Sequence, residues 1–139
     1  MQPTILIVDD DTHVIKALCR ELRHAPYRLL TAFSADEGLR LLEQHHCAVV
    51  IADYQMPGNS GLEFLAEVKR LQPEVIRIML TGKGHLSLYE QAFFAIDIFD
   101  LLLKPWNTAK LLATLQRAVH HYDLMIGCDC STASEETAP

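Results

Sequence analysis

The hydrophobic pattern along the chain switches repeatedly between continuous apolar runs and helical spacing. Ile5-Leu6-Ile7-Val8 is a branched apolar run stopped by Asp9-Asp10-Asp11, the pattern of a strand buried on both faces. Val14, Ile15, Leu18, Cys19 and Leu22 then recur at helical spacing, and Pro26 closes that helix. Tyr27 to Ala32 reads as a second, shorter strand. Ser34, with Glu37 three residues on, is a capping box that opens a helix burying Leu39 and Leu42. Ala48-Val49-Val50-Ile51-Ala52 is the third strand and again ends on an aspartate, Asp53.

The turn Met56-Pro57-Gly58-Asn59-Ser60-Gly61 leads into a second capping box, Ser60 with Glu63. Phe64, Leu65, Val68 and Leu71 form the apolar face of that helix, and Pro73 follows its end. Val75 to Leu80 is the fourth strand, ending on Thr81-Gly82. A helix from about Ser87 to Ile96, a strand from Ile98 to Leu103 and a last helix from about Thr108 to Tyr122 complete the pattern. Strands alternating with helices in this way predict a parallel five-stranded sheet covered on both faces, an α/β three-layer, doubly wound sandwich.

In such sheets ligands sit outside the carboxyl ends of the strands, where the strand order reverses. The residues predicted there are Asp9-Asp10-Asp11, Asp53, Thr81 and Lys104. Crowded carboxylates repel one another, and a hard divalent cation with oxygen ligands resolves the conflict. Lys104 adds a second positive charge and Thr81 a hydroxyl donor. A carboxylate nucleophile, a bridging cation and donors for the equatorial oxygens are the parts that phosphoryl transfer requires. Gly82 and Gly84 flank Lys83, so the backbone after Thr81 can rearrange readily.

Composition narrows the setting. The 139 residues suit one domain, and 50% apolar with 22% charged residues is ordinary for a globular protein, not a disordered one. A net charge of -6 argues against broad binding to nucleic acid backbones. The short apolar runs predict no membrane span, and the N-terminus has no signal-peptide pattern, so a cytoplasmic protein is expected. The folded unit is expected over residues 1–125, with 126–139 a flexible polar tail or the start of a linker. Cys19 and Cys47 lie among apolar neighbours, and Cys128 and Cys130 have no partner pair at zinc spacing. The adjacent pairs His45-His46 and His120-His121 point about 100° apart on a helix and read as solvated helix ends.

Four segments in register carry a resemblance: Ile5-Leu6-Ile7-Val8-Asp9-Asp10, Asp53-Tyr54-Gln55-Met56-Pro57-Gly58, Leu80-Thr81-Gly82 and Lys104-Pro105-Trp106. Together they resemble the response regulator receiver domains of two-component phosphorelays, from about residue 4 to residue 122. The resemblance implies a flavodoxin-like sheet of order 2-1-3-4-5. It implies that Asp53 is the phosphoacceptor, served by the phosphohistidine of a sensor histidine kinase or phosphotransfer protein. Asp9, Asp10, Asp53 and the backbone carbonyl of Gln55 would hold Mg²⁺. Thr81 would contact the phosphoryl group, Lys104 would pair with it, and the bond before Pro105 would be cis. Slow autodephosphorylation rather than turnover of a separate substrate would follow.

One position departs from the family. Where it usually has Tyr or Phe, three residues before the lysine, this chain has Leu101. Phe99 lies two residues earlier, on the same side of a strand by alternation, and is expected to take part of that switching role. The face of the predicted fourth helix, fifth strand and fifth helix is expected to carry the output and to offer a homodimer surface. Trp106 after Lys-Pro resembles a subset of receivers fused to cyclic-dinucleotide phosphodiesterase or transcriptional activator domains. Neither domain fits after Tyr122, so the output domain is expected to be fused in a longer protein or supplied in trans. Trp106 itself is expected to be partly buried packing.

Two rivals use the same residues. A haloacid dehalogenase-type phosphatase would take Asp9 as nucleophile, but His13 stands where that family usually has Thr or Val, and its later acidic pair is missing. A flavodoxin-like redox protein would need a Ser/Thr-rich phosphate loop after the first strand, and none follows Val8.

Overall fold

The computed structural model describes residues 2–56, 60–82 and 96–134. Over these the elements are β1 (Thr4–Val8), α1 (Thr12–Leu22), β2 (Arg28–Ala32), α2 (Ala35–Gln44), β3 (Val49–Asp53), α3 (Gly61–Leu71), β4 (Ile76–Thr81), β5 (Asp100–Leu103) and α4 (Thr108–Ser134). The strands pair in parallel in the order β2-β1-β3-β4-β5, so the predicted flavodoxin-like doubly wound sandwich is the fold. The predicted helix from Ser87 to Ile96 lies outside the described residues except for its end, as does most of the turn at 57–59.

Alternation along each strand divides the apolar residues into two layers. Ile5, Ile7, Val49, Ile51, Ile78, Leu80 and Leu102 face α1 and α4, where they meet Ile15, Leu18, Leu111 and Leu115. Leu6, Val8, Val50, Ala52, Met79 and Leu101 face α2 and α3, where they meet Leu42, Phe64, Leu65 and Val68. The strands read as unbroken apolar runs because each of their faces has a layer to bury against. Most of these side chains are fully buried, each contributing roughly 1.5–3 kcal/mol of transfer free energy.

The caps follow the sequence with one difference. Ser60 and Glu63 form the reciprocal capping box on α3. On α2, Ser34 Oγ accepts from the Glu37 amide, but Glu37 Oε1 accepts from the Phe33 amide, one residue before the cap. Asp11 caps α1 by accepting from the His13 amide at 2.9 Å. Within α3, Leu71 is not part of the buried face; it is 48% exposed at the last residue of the helix.

Two expectations are corrected. The last helix does not stop at Tyr122: helical backbone continues through Ser134, into the segment expected to be a flexible tail. Extending a formed helix costs little per residue, and no proline interrupts it before Pro139; Gly127 weakens such a helix without ending it. The last strand begins at Asp100 rather than Ile98, after Asp97 takes a positive φ of 58°. Among the described residues no helix is long and apolar enough to cross a membrane.

Candidate functional site

Strand register assembles the site. Val8 pairs with Ala52, so the next residues along the two strands, Asp9 and Asp53, leave the sheet side by side. Asp53 pairs with Leu80, which puts Thr81 one step beyond it, and Thr81 in turn pairs with Leu103, just before Lys104. Backbone hydrogen bonds carry this order past the strand ends. The Asp9 amide donates to Ala32 O at 3.1 Å, the Tyr54 amide to Leu80 O at 2.9 Å, and the Lys104 amide to Thr81 O at 2.8 Å. Residues up to 95 positions apart in sequence thereby share one sheet edge.

Asp9 and Asp53 are buried, Asp10 is exposed, and their carboxylate oxygens come within 4.8 Å of one another. Lys104 Nζ lies 2.7 Å from Asp53 Oδ1 and 3.7 Å from Asp9 Oδ2. Asp9 Oδ1 accepts from the Asp11 amide at 2.9 Å, whereas Asp9 Oδ2 has no hydrogen-bond donor. It is the one buried side-chain polar atom without such a partner among the described residues. Burial raises the Asp9 carboxyl from an ordinary 3.8 to about 6; the Asp11 amide opposes the rise, and the Asp53 charge adds to it. For Lys104 burial acts downward, but the hydrogen bond and charge of Asp53, with Asp9 and Asp11, hold the ammonium above its usual value. The site therefore has more negative charge than Lys104 alone completes.

That surplus is the test for a bound cation, and the residues fit one. Three carboxylates converge, one with a buried oxygen lacking a donor, and hard oxygen donors of this kind suit Mg²⁺. Thr81 is buried at the same edge, its hydroxyl donating to Gly82 O at 3.3 Å. The Lys104–Pro105 peptide bond is cis. Gln55, expected to offer a backbone carbonyl, is exposed two residues after Asp53.

Phe99 does not share a face with Leu101. Leu101 belongs to the layer of α2 and α3, whereas Phe99 packs in the layer of α1 and α4. Its ring lies 5.5 Å from that of His121 and 5.7 Å from the Arg117 guanidinium. Period-2 alternation does not extend to Phe99 because it precedes the first residue of β5.

Two residues of the site were not legible beforehand. A Cβ on Gly61 would lie 1.9 Å from the Asp53 carbonyl oxygen, and the Gly61 amide donates to Tyr54 O at 2.7 Å. The start of α3 therefore lies directly against the backbone of Asp53, and only glycine leaves room there. The Ser60-Gly61 pair after a turn was the available signal. Glu21, which accepts from the Trp106 indole at 2.8 Å, gave none.

Comparison with known proteins places this geometry in a family. The model of the response regulator receiver domain matches residues 5–116. The chain is 38% identical over 118 residues to the hydrogenase transcriptional regulatory protein HoxA of Cupriavidus necator, covering 85% of this chain and 24% of that protein. It is 30% identical over 116 residues to the C4-dicarboxylate transport transcriptional regulatory protein DctD of Rhizobium meliloti, covering 84% and 25%. The chain thus spans about a quarter of the length of the curated relatives it matches. Among solved structures, the signal receiver domain of an HD domain-containing protein from Pseudomonas fluorescens superposes with a TM-score of 0.87 at 32% identity, covering 91% of this chain and 93% of that one. A response regulator receiver domain protein from Clostridium thermocellum gives 0.83 at 31% identity, covering 88% and 98%. Nothing in these comparisons supports the phosphatase alternative with Asp9 as nucleophile.

Proposed function

The chain belongs to the response regulator receiver domain family, and from that premise we propose that Asp53 is its phosphoacceptor. The observation that carries the proposal is Lys104 Nζ at 2.7 Å from Asp53 Oδ1, beside three converging carboxylates. In this reading an Asp53 carboxylate oxygen attacks the phosphorus of a phosphohistidine on a sensor histidine kinase or phosphotransfer protein. The P–N bond breaks, the imidazole keeps the bonding pair and takes a proton, and an acyl phosphate remains on Asp53. Lys104 then turns from the carboxylate to a phosphoryl oxygen, and the Thr81 hydroxyl exchanges Gly82 O for another. Both groups are donors already placed where negative charge accumulates.

Asp9, Asp10, Asp53 and the Gln55 carbonyl would hold Mg²⁺, which when bound offsets the crowded carboxylates and draws electron density from the phosphoryl oxygens. Water attacking the acyl phosphate returns Asp53 to the carboxylate, so the domain resets itself slowly without turning over a separate substrate. The receiver unit spans residues 1–125 in this reading, and its output domain is fused in a longer protein or supplied in trans. Output leaves through the face around β5 and α4, which also offers a homodimer surface, with Thr81 and Leu101 as the coupling residues. The same reading gives a cytoplasmic protein that contacts neither nucleic acid nor membrane directly.

Intact-mass analysis after incubation with acetyl phosphate and Mg²⁺ tests the central step. One phosphoryl group is expected, absent in Asp53→Ala and absent when the metal is chelated. Retention of the modification in Asp53→Ala would remove the assignment.

A further inference from the structure

We infer that Glu21 is a positioning residue for Lys104, acting through Trp106; the inference rests on the phosphoacceptor reading above. Glu21 lies in the last turn of α1, and its Oε1 accepts from Trp106 Nε1 at 2.8 Å and from Thr108 Oγ1 at 2.9 Å. Trp106 belongs to the segment that links the lysine to the last helix, and Thr108 is the first residue of that helix. A carboxylate holding two donors on one oxygen makes stronger, more directional bonds than a neutral acceptor would. Trp106 is half-buried against the layer of α1 and α4, so its indole N–H needs a partner there.

The reason this matters is the way residues 104–107 are otherwise held. Upstream, the Lys104 amide is fixed to Thr81 O at 2.8 Å. Downstream, Asn107 caps α4 by accepting from the Lys110 amide at 3.1 Å, which ties the loop only to the helix it opens. Among the described residues Glu21 supplies the side-chain hydrogen bonds that tie that loop and the start of α4 to α1. That helix begins directly after the acidic cluster, capped by Asp11, whose own amide donates to Asp9 Oδ1 at 2.9 Å. A closed circuit results: Asp9, Asp11, α1, Glu21, Trp106, Lys104, and back to Asp53 and Asp9. An 11-residue helix is a stiff strut of about 16 Å, so the circuit sets where the Lys104 backbone stands relative to the carboxylates. The lysine stem is flexible, and its 2.7 Å reach to Asp53 depends on that placement.

The test uses the full chain and the rate of phosphoryl uptake from acetyl phosphate with Mg²⁺. Glu21→Ala removes the acceptor, Trp106→Phe keeps the ring but removes the donor, and Glu21→Gln keeps an acceptor oxygen. Glu21→Ala and Trp106→Phe are each expected to slow uptake roughly three- to tenfold, the scale of a small misplacement of a reacting group. Glu21→Gln should recover most of the rate, and Mg²⁺ affinity by calorimetry should not weaken in any of the three. In a Lys104→Ala background the slowing should disappear, because the lysine through which it acts is gone. Equal slowing with and without Lys104, or wild-type rates in both Glu21→Ala and Trp106→Phe, would overturn the inference. If the wild-type chain itself takes up no phosphoryl group, the phosphoacceptor reading fails instead.

Discussion

Arg77 and Asp9 are both buried charges, set near opposite ends of one sheet, and they are completed to different degrees. Arg77 is 6% exposed near the start of β4, and its guanidinium donates to the carbonyls of Ile96 at 3.0 Å, Val75 at 2.8 Å and Pro73 at 3.2 Å. Asp9 is 1% exposed just beyond the end of β1, with one oxygen bonded to an amide and the other lacking a donor. The cation is satisfied by backbone and therefore serves the fold, joining the start of β4 to the segment before β5. The anion is left short of donors, and the deficit is what a ligand can use. A buried charge becomes a site when the chain that buries it does not also complete it.

Replacing Arg77 by methionine should cost the most, roughly 2–4 kcal/mol, because three carbonyls lose their donor in a buried setting. Urea unfolding should show that loss equally at pH 5 and pH 8, and Mg²⁺ binding should not change. A Mg²⁺-dependent loss would break the contrast between the two ends.

Asp9→Asn should do the opposite in metal-free protein. The folded carboxyl gives up its proton near 6 and an ordinary one near 3.8, so the unfolded chain ionises first as pH rises. The penalty is absent below the lower value, grows between the two, and is complete above the upper one. The corresponding ceiling is on the order of 3 kcal/mol, and we expect Asn to stabilise the chelated protein by about 1–3 kcal/mol at pH 8. No gain should remain below pH 4. Mg²⁺ binding should weaken in the same variant, so a protein that is both less stable and unchanged in Mg²⁺ affinity would contradict the contrast.

Lys104→Met removes the positive charge that stands among the carboxylates, 2.7 Å from Asp53. Mg²⁺ affinity by calorimetry should rise several-fold, about 1 kcal/mol, while phosphoryl uptake falls, because a competing cation is lost together with a phosphoryl partner. Unchanged or weaker Mg²⁺ binding would mean that Lys104 does not offset these carboxylates. The smallest effect belongs to Leu71, exposed at the end of α3. Leu71→Lys should shift unfolding by less than about 0.5 kcal/mol, the usual scale of a surface change, and leave Mg²⁺ binding alone.

How much of this was legible beforehand depended on whether the cause was local. Ile5 to Val8 and Val49 to Ile51 are apolar at every position, and that pattern marks doubly covered strands without knowledge of their neighbours. Ser60 and Glu63 announce a helix start because both partners lie within one turn. Phe99 shows the limit: alternation put it beside Leu101, but Asp97 turns the backbone and the ring packs against α4 instead. The helix beyond Tyr122 shows another, since polar composition alone does not end a helix that has already formed.

The sequence by itself determined the alternating elements, the two-sided burial of the strands and the presence of Asp9, Asp10, Asp53, Thr81 and Lys104 at strand ends. Periodicity and capping are short-range, so they are written within a few residues of where they act. The tertiary structure alone decided that Asp9 keeps an unbonded buried oxygen, that Gly61 must lack a Cβ against Asp53, and that Glu21 reaches Trp106. Each of those depends on strand register and helix placement, which bring together residues that have no neighbour relation along the chain.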